Sequence, residues 1–282
     1  MPQIVISTTF RDFNGSPNDK MQIRFLHSLK RQSFQDFVLV VTIFNEKKVE
    51  KIVKRILGDK VFVVYDYDHE KYKFSLSRTF MNGVDYGLGH QARILVDCSS
   101  DIALQDNFLA VVSTRTKSYT AGISHPNIFC ENMSNGRKKY SYGKINKGID
   151  IRFFSLDLFQ NKHVYNLLNR FPSYDYGAGI ERILCGMAIK YAHRRYNIFM
   201  ESKVVKEENS RDGQVGIRTE FEREGMKKNM PVTERFMRSE QIPQKYKSLL
   251  EMNRAYKLTR LAGLYRLWFG REVIDFYLKC HN

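Results

Sequence analysis

Along the first hundred residues, short apolar runs alternate with stretches in which apolar positions recur every three or four residues. Residues 3–7 form a short apolar run that breaks into the turn-rich TTFRDFNGSPND, the pattern of a strand followed by a polar loop. Met21, Phe25, Leu26 and Leu29 then recur at helical spacing, with Lys30 and Arg31 in the last turn. Residues 37–44 are continuously apolar, as in a strand buried on both faces. Val49, Ile52, Val53, Ile56 and Leu57 predict a second amphipathic helix, stopped at Gly58-Asp59. A third strand is read at 61–65, a helix over 75–86 and a fourth strand at 92–96, ending at Asp97. This alternation predicts an α/β fold with an open, mostly parallel sheet covered by helices. Ligands bind such sheets beyond the carboxyl ends of the strands. Those ends are 7–12, 44–46, 65–68 and 97–101, and they carry carboxylates suited to metal, ribose or base contacts.

Beyond residue 110 the periodicity weakens. Residues 130–150, rich in glycine, tyrosine and lysine, read as a mobile basic loop. A helix is expected near Leu104, with Asp101 as its cap or as a ligand. Residues 180–193 read as a helix followed by a strand-like RRYNIFME, 202–242 as a charged linker or arm, and the chain from Gln244 onward as two helices. The expected organisation is a catalytic part over 1–200, divided at 112/113 into nucleotide- and acceptor-binding portions, and a helical extension over 201–282.

Composition changes this picture in one respect. The 282 residues carry 46 Lys+Arg against 30 Asp+Glu, a net charge of +16 spread through the chain, which favours a polyanionic partner. No apolar run approaches the ~18 residues of a membrane span, and MPQIVISTTF lacks a signal-peptide core. Cys98, Cys130, Cys185 and Cys280 lie far apart, outside zinc or disulfide spacing, and read as reduced cytosolic thiols. His90, His163 and His193 have no partner at metal spacing, and His125-Pro126 reads as loop. The GxGxxG, P-loop, HExxH and GxSxG patterns are absent, which argues against dinucleotide, P-loop, zinc-protease and α/β-hydrolase chemistry.

The order of elements and the residues on them resemble the nucleotide-binding half of GT-A glycosyltransferases, in particular the large inverting family of bacterial polysaccharide-synthase type. The segments that carry the likeness are IVISTTFRD, FLHSLKRQSFQDFVLVVTIFNE, VFVVYD, Ser77-Arg78-Thr79, FMNGVDYGLG and ILVDCSSDIALQDNFL, in the family's order over roughly residues 3–112, with weaker traces to 200. The resemblance implies a GT-A-like fold and a nucleoside-diphosphate sugar donor, UDP-linked, held with Mn²⁺ or Mg²⁺. Asp97 stands where the family's first motif carboxylate stands. The second departs from the DxD pattern, leaving Asp101 as the other metal ligand. A carboxylate pair there would hold the ion against the diphosphate. A strand-end carboxylate supports little core, so Asp97→Ala is expected to leave the fold intact.

By the same resemblance Arg78 faces the diphosphate, Asp66 and Asp68 lie near the base or ribose, and Thr9 and Arg11 line the base pocket. The general base that deprotonates the acceptor hydroxyl falls in Tyr174-Asp175-Tyr176-Gly177-Ala178-Gly179-Ile180-Glu181, with Asp175 preferred and Glu181 second. The alternative for both is a plain helix cap and first-turn acid. Arg137, Lys138, Lys139, Tyr140, Tyr142 and Lys144 interleave cations with aromatics and are the candidate acceptor contacts. The acceptor is expected to be acidic: an envelope glycan or glycolipid in the leading version, a hydroxymethylated base of phage DNA in the other. A third reading is a nucleic-acid-binding protein without catalysis. The amphipathic run Leu258, Leu261, Leu264, Tyr265, Leu267 and Trp268 packs on the catalytic part or rests peripherally on the inner face of the membrane.

Overall fold

The computed structural model describes residues 1–10, 13, 17–44, 48–66, 75–126, 128–132, 138–142, 150–169, 180–198, 201–209, 227, 229–243 and 256–258. At 17–18, 128–132, 138–142, 207–209 and 257–258 it describes the backbone path alone. The first half alternates as the apolar pattern predicts: β1 (Ile4–Thr9), α1 (Pro17–Lys30), β2 (Phe37–Ile43), α2 (Val49–Leu57), β3 (Val61–Tyr65), α3 (Leu76–Gly89) and β4 (Ile94–Cys98). Then come β5 (Ile102–Leu104), α4 (Phe108–Arg115), β6 (Thr120–Ser124), β7 (Ile128–Asn132), β8 (Lys138–Tyr142) and β9 (Ile151–Ser155). The series ends with α5 (Asp157–Gln160), α6 (Lys162–Asn169), α7 (Ile180–Tyr191), β10 (Arg194–Asn197), β11 (Val204–Asn209), a helix over 229–239 and β12 (Lys257–Leu258).

Eight strands form the main sheet in the order β12-β10-β6-β9-β4-β1-β2-β3. All run parallel except β9, which is antiparallel to both β4 and β6. Successive strand side chains point to opposite faces, and two cores result. Val5, Val40, Leu95 and Phe154 pack with Phe80, Val84, Phe159, Ile183, Leu184 and Met187 on one face. Ile4, Ile6, Leu39, Val41, Ile94, Val96 and Phe153 pack with Phe25, Leu29, Val53, Phe108 and Val112 on the other. The run Phe37-Val-Leu-Val-Val-Thr-Ile43 thus serves both cores, as its near-continuous apolar character requires. Close approach needs glycine at two places. A Cβ at Gly83 would lie 2.5 Å from the Ser7 Cβ, where α3 rests on β1, and one at Gly122 would lie 1.8 Å from the Phe153 ring.

A second sheet, β5-β11-β7-β8, stands beside the first. It corrects several expectations. The basic stretch is in part an antiparallel hairpin, with Cys130 opposite Tyr140 and Glu131 opposite Lys139. No helix starts near Leu104: β5 occupies that position, paired with β11, and α4 begins at Phe108 behind Asn107. The stretch 202–242, read as linker, supplies β11 and the helix over 229–239, whose Phe236 and Met237 enter the α7 core. Its charge-rich sequence hides this, because the apolar contacts come from few positions. At Lys257–Leu258 the chain is a short strand parallel to β10 instead of helix; the other residues from 244 on lie outside the described residues. Among the described residues no helix is long and apolar enough to cross a membrane.

Candidate functional site

Because β1 to β4 run parallel, their carboxyl ends share one edge of the sheet. Hydroxyls tie that edge together. Thr8 Oγ1 donates to the Cys98 carbonyl at 2.8 Å and Thr9 Oγ1 to the Thr42 carbonyl at 2.9 Å, while Ser7 Oγ reaches the Thr79 carbonyl in the first turn of α3 at 2.6 Å. Thr9, a candidate for the base pocket, therefore spends its hydroxyl hydrogen on β2. The Ser75 side chain caps α3 by accepting from the Arg78 backbone N–H, and the Arg78 Nε donates to Asp66 Oδ2 at 3.1 Å. Asp66 is buried just past β3 and Arg78 is half exposed, so two residues expected to contact the donor stand together as an ion pair at the edge.

Deeper along the same edge lies a buried charge cluster. Asp97 ends β4, and its register partner on β9 is Arg152. The Arg152 Nε and Nη2 both reach Asp97 Oδ2, at 2.7 and 2.5 Å, and the two side chains are 5–6 % exposed. The Arg152 Nη1 lies 3.7 Å from Glu181 Oε1 in the first turn of α7. Beside this group, Lys206 of β11 bonds to Asp150 and lies 3.6 Å from Asp101 Oδ2. Lys206 and Arg152 thus connect the two sheets and α7 through four carboxylates. Asp101 does not cap a helix: it faces Lys206.

Burial and charge set the protonation of these groups in opposite senses. Burial opposes the charge on Arg152, yet Asp97 and Glu181 outweigh it and hold the guanidinium protonated above its ordinary value. Burial lifts the carboxyls of Asp97 and Glu181 above the usual carboxylate range, against the downward pull of Arg152. Burial likewise pushes the Cys185 thiol up to about 12 and the Cys98 thiol well above its ordinary value, so neither is a thiolate nucleophile at neutral pH.

A metal ion at Asp97 and Asp101 does not fit this arrangement. The oxygens are hard donors suited to Mg²⁺ or Mn²⁺. However, Asp97 is already neutralised by a fixed guanidinium and Asp101 faces the Lys206 ammonium. An ion at either carboxylate competes with the cation already beside it, whose repulsion, about 4 kcal/mol per unit of charge at 4 Å in partly screened surroundings, is set against the pull of the carboxylates. Among the described residues no three His, Cys, Asp or Glu side chains are grouped to hold a metal ion.

Of the other candidates, Arg11, Asp68, Arg137, Lys144 and Asp175 lie outside the described residues. Lys138, Lys139, Tyr140 and Tyr142 are on β8, where the backbone alone is described. Sequence reasoning missed Arg152, Asp150 and Lys206. The signal for Arg152 is a lone cation inside the apolar Ile151-Arg-Phe-Phe154, since a charge in such a strand needs a buried partner.

No family model matches the chain, and no curated relative does. Solved structures do share its fold. The crystal structure of S. aureus TarS residues 1–349 superposes with a TM-score of 0.50 at 13 % identity, covering 73 % of this chain and 60 % of that one. The same protein in complex with UDP-GlcNAc superposes with a TM-score of 0.50 at 13 % identity over 77 % of this chain and 61 % of that one. This chain therefore spans about three fifths of the length of those chains. The expected mostly parallel α/β sheet covered by helices is the observed fold, and it is the fold of TarS 1–349.

Proposed function

We propose that the protein transfers a sugar from a nucleoside-diphosphate sugar, UDP-linked, to a hydroxyl of an acidic acceptor. The observation that carries this reading is the arrangement of one sheet edge: the Asp66–Arg78 pair stands at the strand ends beside the Asp97–Arg152–Glu181 cluster, in a fold shared with a protein crystallised with UDP-GlcNAc. Nucleotide ligands of parallel α/β sheets bind at that edge. Arg78 faces the donor diphosphate, and Asp66 holds its guanidinium in place. Glu181 is the general base, since the described geometry puts its carboxylate within the cluster; Asp175 is the alternative. The acceptor oxygen attacks the anomeric carbon in line. Its bond to that carbon forms as the bond to the diphosphate oxygen breaks, the electron pair leaves with the nucleoside diphosphate, and the hydroxyl proton passes to Glu181. Burial raises the proton affinity of Glu181, which favours accepting that proton.

The acceptor in this reading is an envelope glycan or glycolipid, with the +16 net charge drawing a phosphorylated chain or anionic surface. The same charge, and a strand built of Lys138-Lys-Tyr-Ser-Tyr142, favour a second acceptor, a hydroxymethylated base in DNA. The test of the reaction is release of nucleoside diphosphate from UDP-, GDP- and dTDP-sugars. A UDP-sugar is expected to be turned over and the others are not; turnover of none refutes the proposal.

A further inference from the structure

The family that the sequence resembles places a divalent ion on the strand-end carboxylates, whereas this chain sets its own cations against them. We infer that the protein binds its nucleotide donor without a divalent metal ion, Asp97 serving as the counter-ion of Arg152 and not as a metal ligand. This rests on the nucleotide-sugar reading above.

Three observations carry it. First, Arg152 is not a mobile surface side chain that an incoming ion can displace. It sits on β9 directly opposite Asp97, between β4 and β6, and two of its nitrogens are on one carboxylate oxygen. Arginine stays protonated across the working pH range, so an ion at Asp97 has to compete with a fixed guanidinium for the same carboxylate oxygen. Second, the other carboxylate of the broken motif also has a cation beside it, from a different sheet: Lys206 of β11 bonds to Asp150 and lies 3.6 Å from Asp101 Oδ2. The extra residues between Asp97 and Asp101 carry Asp101 into the turn before β5, toward that lysine. Third, the four carboxylates are paired with two cations, Asp97 and Glu181 with Arg152 and Asp101 and Asp150 with Lys206, and among the described residues no three His, Cys, Asp or Glu side chains are grouped to hold a metal ion. Charge on the departing diphosphate is then met by side-chain cations, with Arg78 at the same edge and half exposed. Side-chain cations clamp transferring phosphates in other sites by the same electrostatics.

Calorimetric titration of UDP, GDP and dTDP into the full chain, once in excess EDTA and once in Mn²⁺, tests this. The inference predicts that UDP binds in both media with Kd values within about threefold of each other, and that Mn²⁺ titrated alone gives an unchanged free-ion electron paramagnetic resonance signal. UDP binding seen only with Mn²⁺, or a Mn²⁺ signal quenched by the protein, overturns it while leaving the nucleotide-sugar reading intact. Absence of binding by all three nucleotides in both media overturns that reading, and the inference with it.

Discussion

Arg152 carries a permanent charge at a position almost closed to water, so the residues around it are tied to stability as well as to chemistry. The pairing of Asp97 with buried Arg152 argues against the expectation that Asp97→Ala spares the fold. Removing the carboxylate leaves the buried guanidinium with Glu181 at 3.7 Å in place of bonds at 2.7 and 2.5 Å, and breaking a buried pair from one side costs about 3–5 kcal/mol. Urea denaturation of Asp97→Ala should show a loss of that size, and a loss under about 1 kcal/mol would mean that Glu181 suffices as the partner of Arg152. Glu181 tests the chemistry instead. Glu181→Gln should lower turnover by about 10²–10⁴-fold with donor affinity nearly unchanged, because a positioned base acts on the transition state. A base works only when deprotonated, and burial raises the Glu181 carboxyl above its ordinary 4.5. The acid limb of kcat/KM should therefore rise through a pH above that value and be absent in Glu181→Gln; near-normal turnover in that variant would move the role to Asp175.

At the scale of elements, the parallel half was legible in the sequence and the rest was not, for a physical reason. The strands β1 to β4 are contiguous apolar runs separated by periodic helices, so local pattern suffices. The strand β9 belongs between β4 and β6 through pairings dozens of residues apart, and the second sheet joins β5, β7 and β11 across about a hundred residues. Such long-range pairing leaves no local period. Asp66, Asp97 and Asp101 are legible from their place at strand ends, whereas Asp150, Arg152 and Lys206 come from these non-local strands and their edges. The seating of α3 on β1 offers a test at this scale. Gly83→Ala places a methyl group 2.5 Å from the Ser7 Cβ, which should cost about 1–3 kcal/mol and weaken donor binding by moving the turn that carries Arg78. Gly89→Ala, at the end of the same helix with nothing within 4 Å, is the control and should be neutral or stabilising by up to about 1 kcal/mol. Equal losses in both would place the effect in helix propensity and not in the contact with β1.

For the molecule as a whole, the +16 charge separates the two acceptors by salt. If DNA is the acceptor, log affinity for plain duplex should fall with log salt by about 0.9 per phosphate contact. Replacing Arg137, Lys138, Lys139 and Lys144 by Ser should then flatten the slope by up to about four units. Absence of DNA binding at low salt eliminates the nucleic-acid acceptor, and with a membrane-borne glycan as acceptor the salt-sensitive partner is an anionic vesicle. Neither outcome bears on the donor, which is the central claim. That claim is tested most directly by following nucleoside diphosphate release when the chain meets UDP-, GDP- and dTDP-sugars in turn, in EDTA and in Mn²⁺, beside Glu181→Gln. The account predicts release of UDP from a UDP-sugar in both media, at a rate that collapses in the variant. No release from any of the three sugars in either medium, with no nucleotide bound, would contradict it.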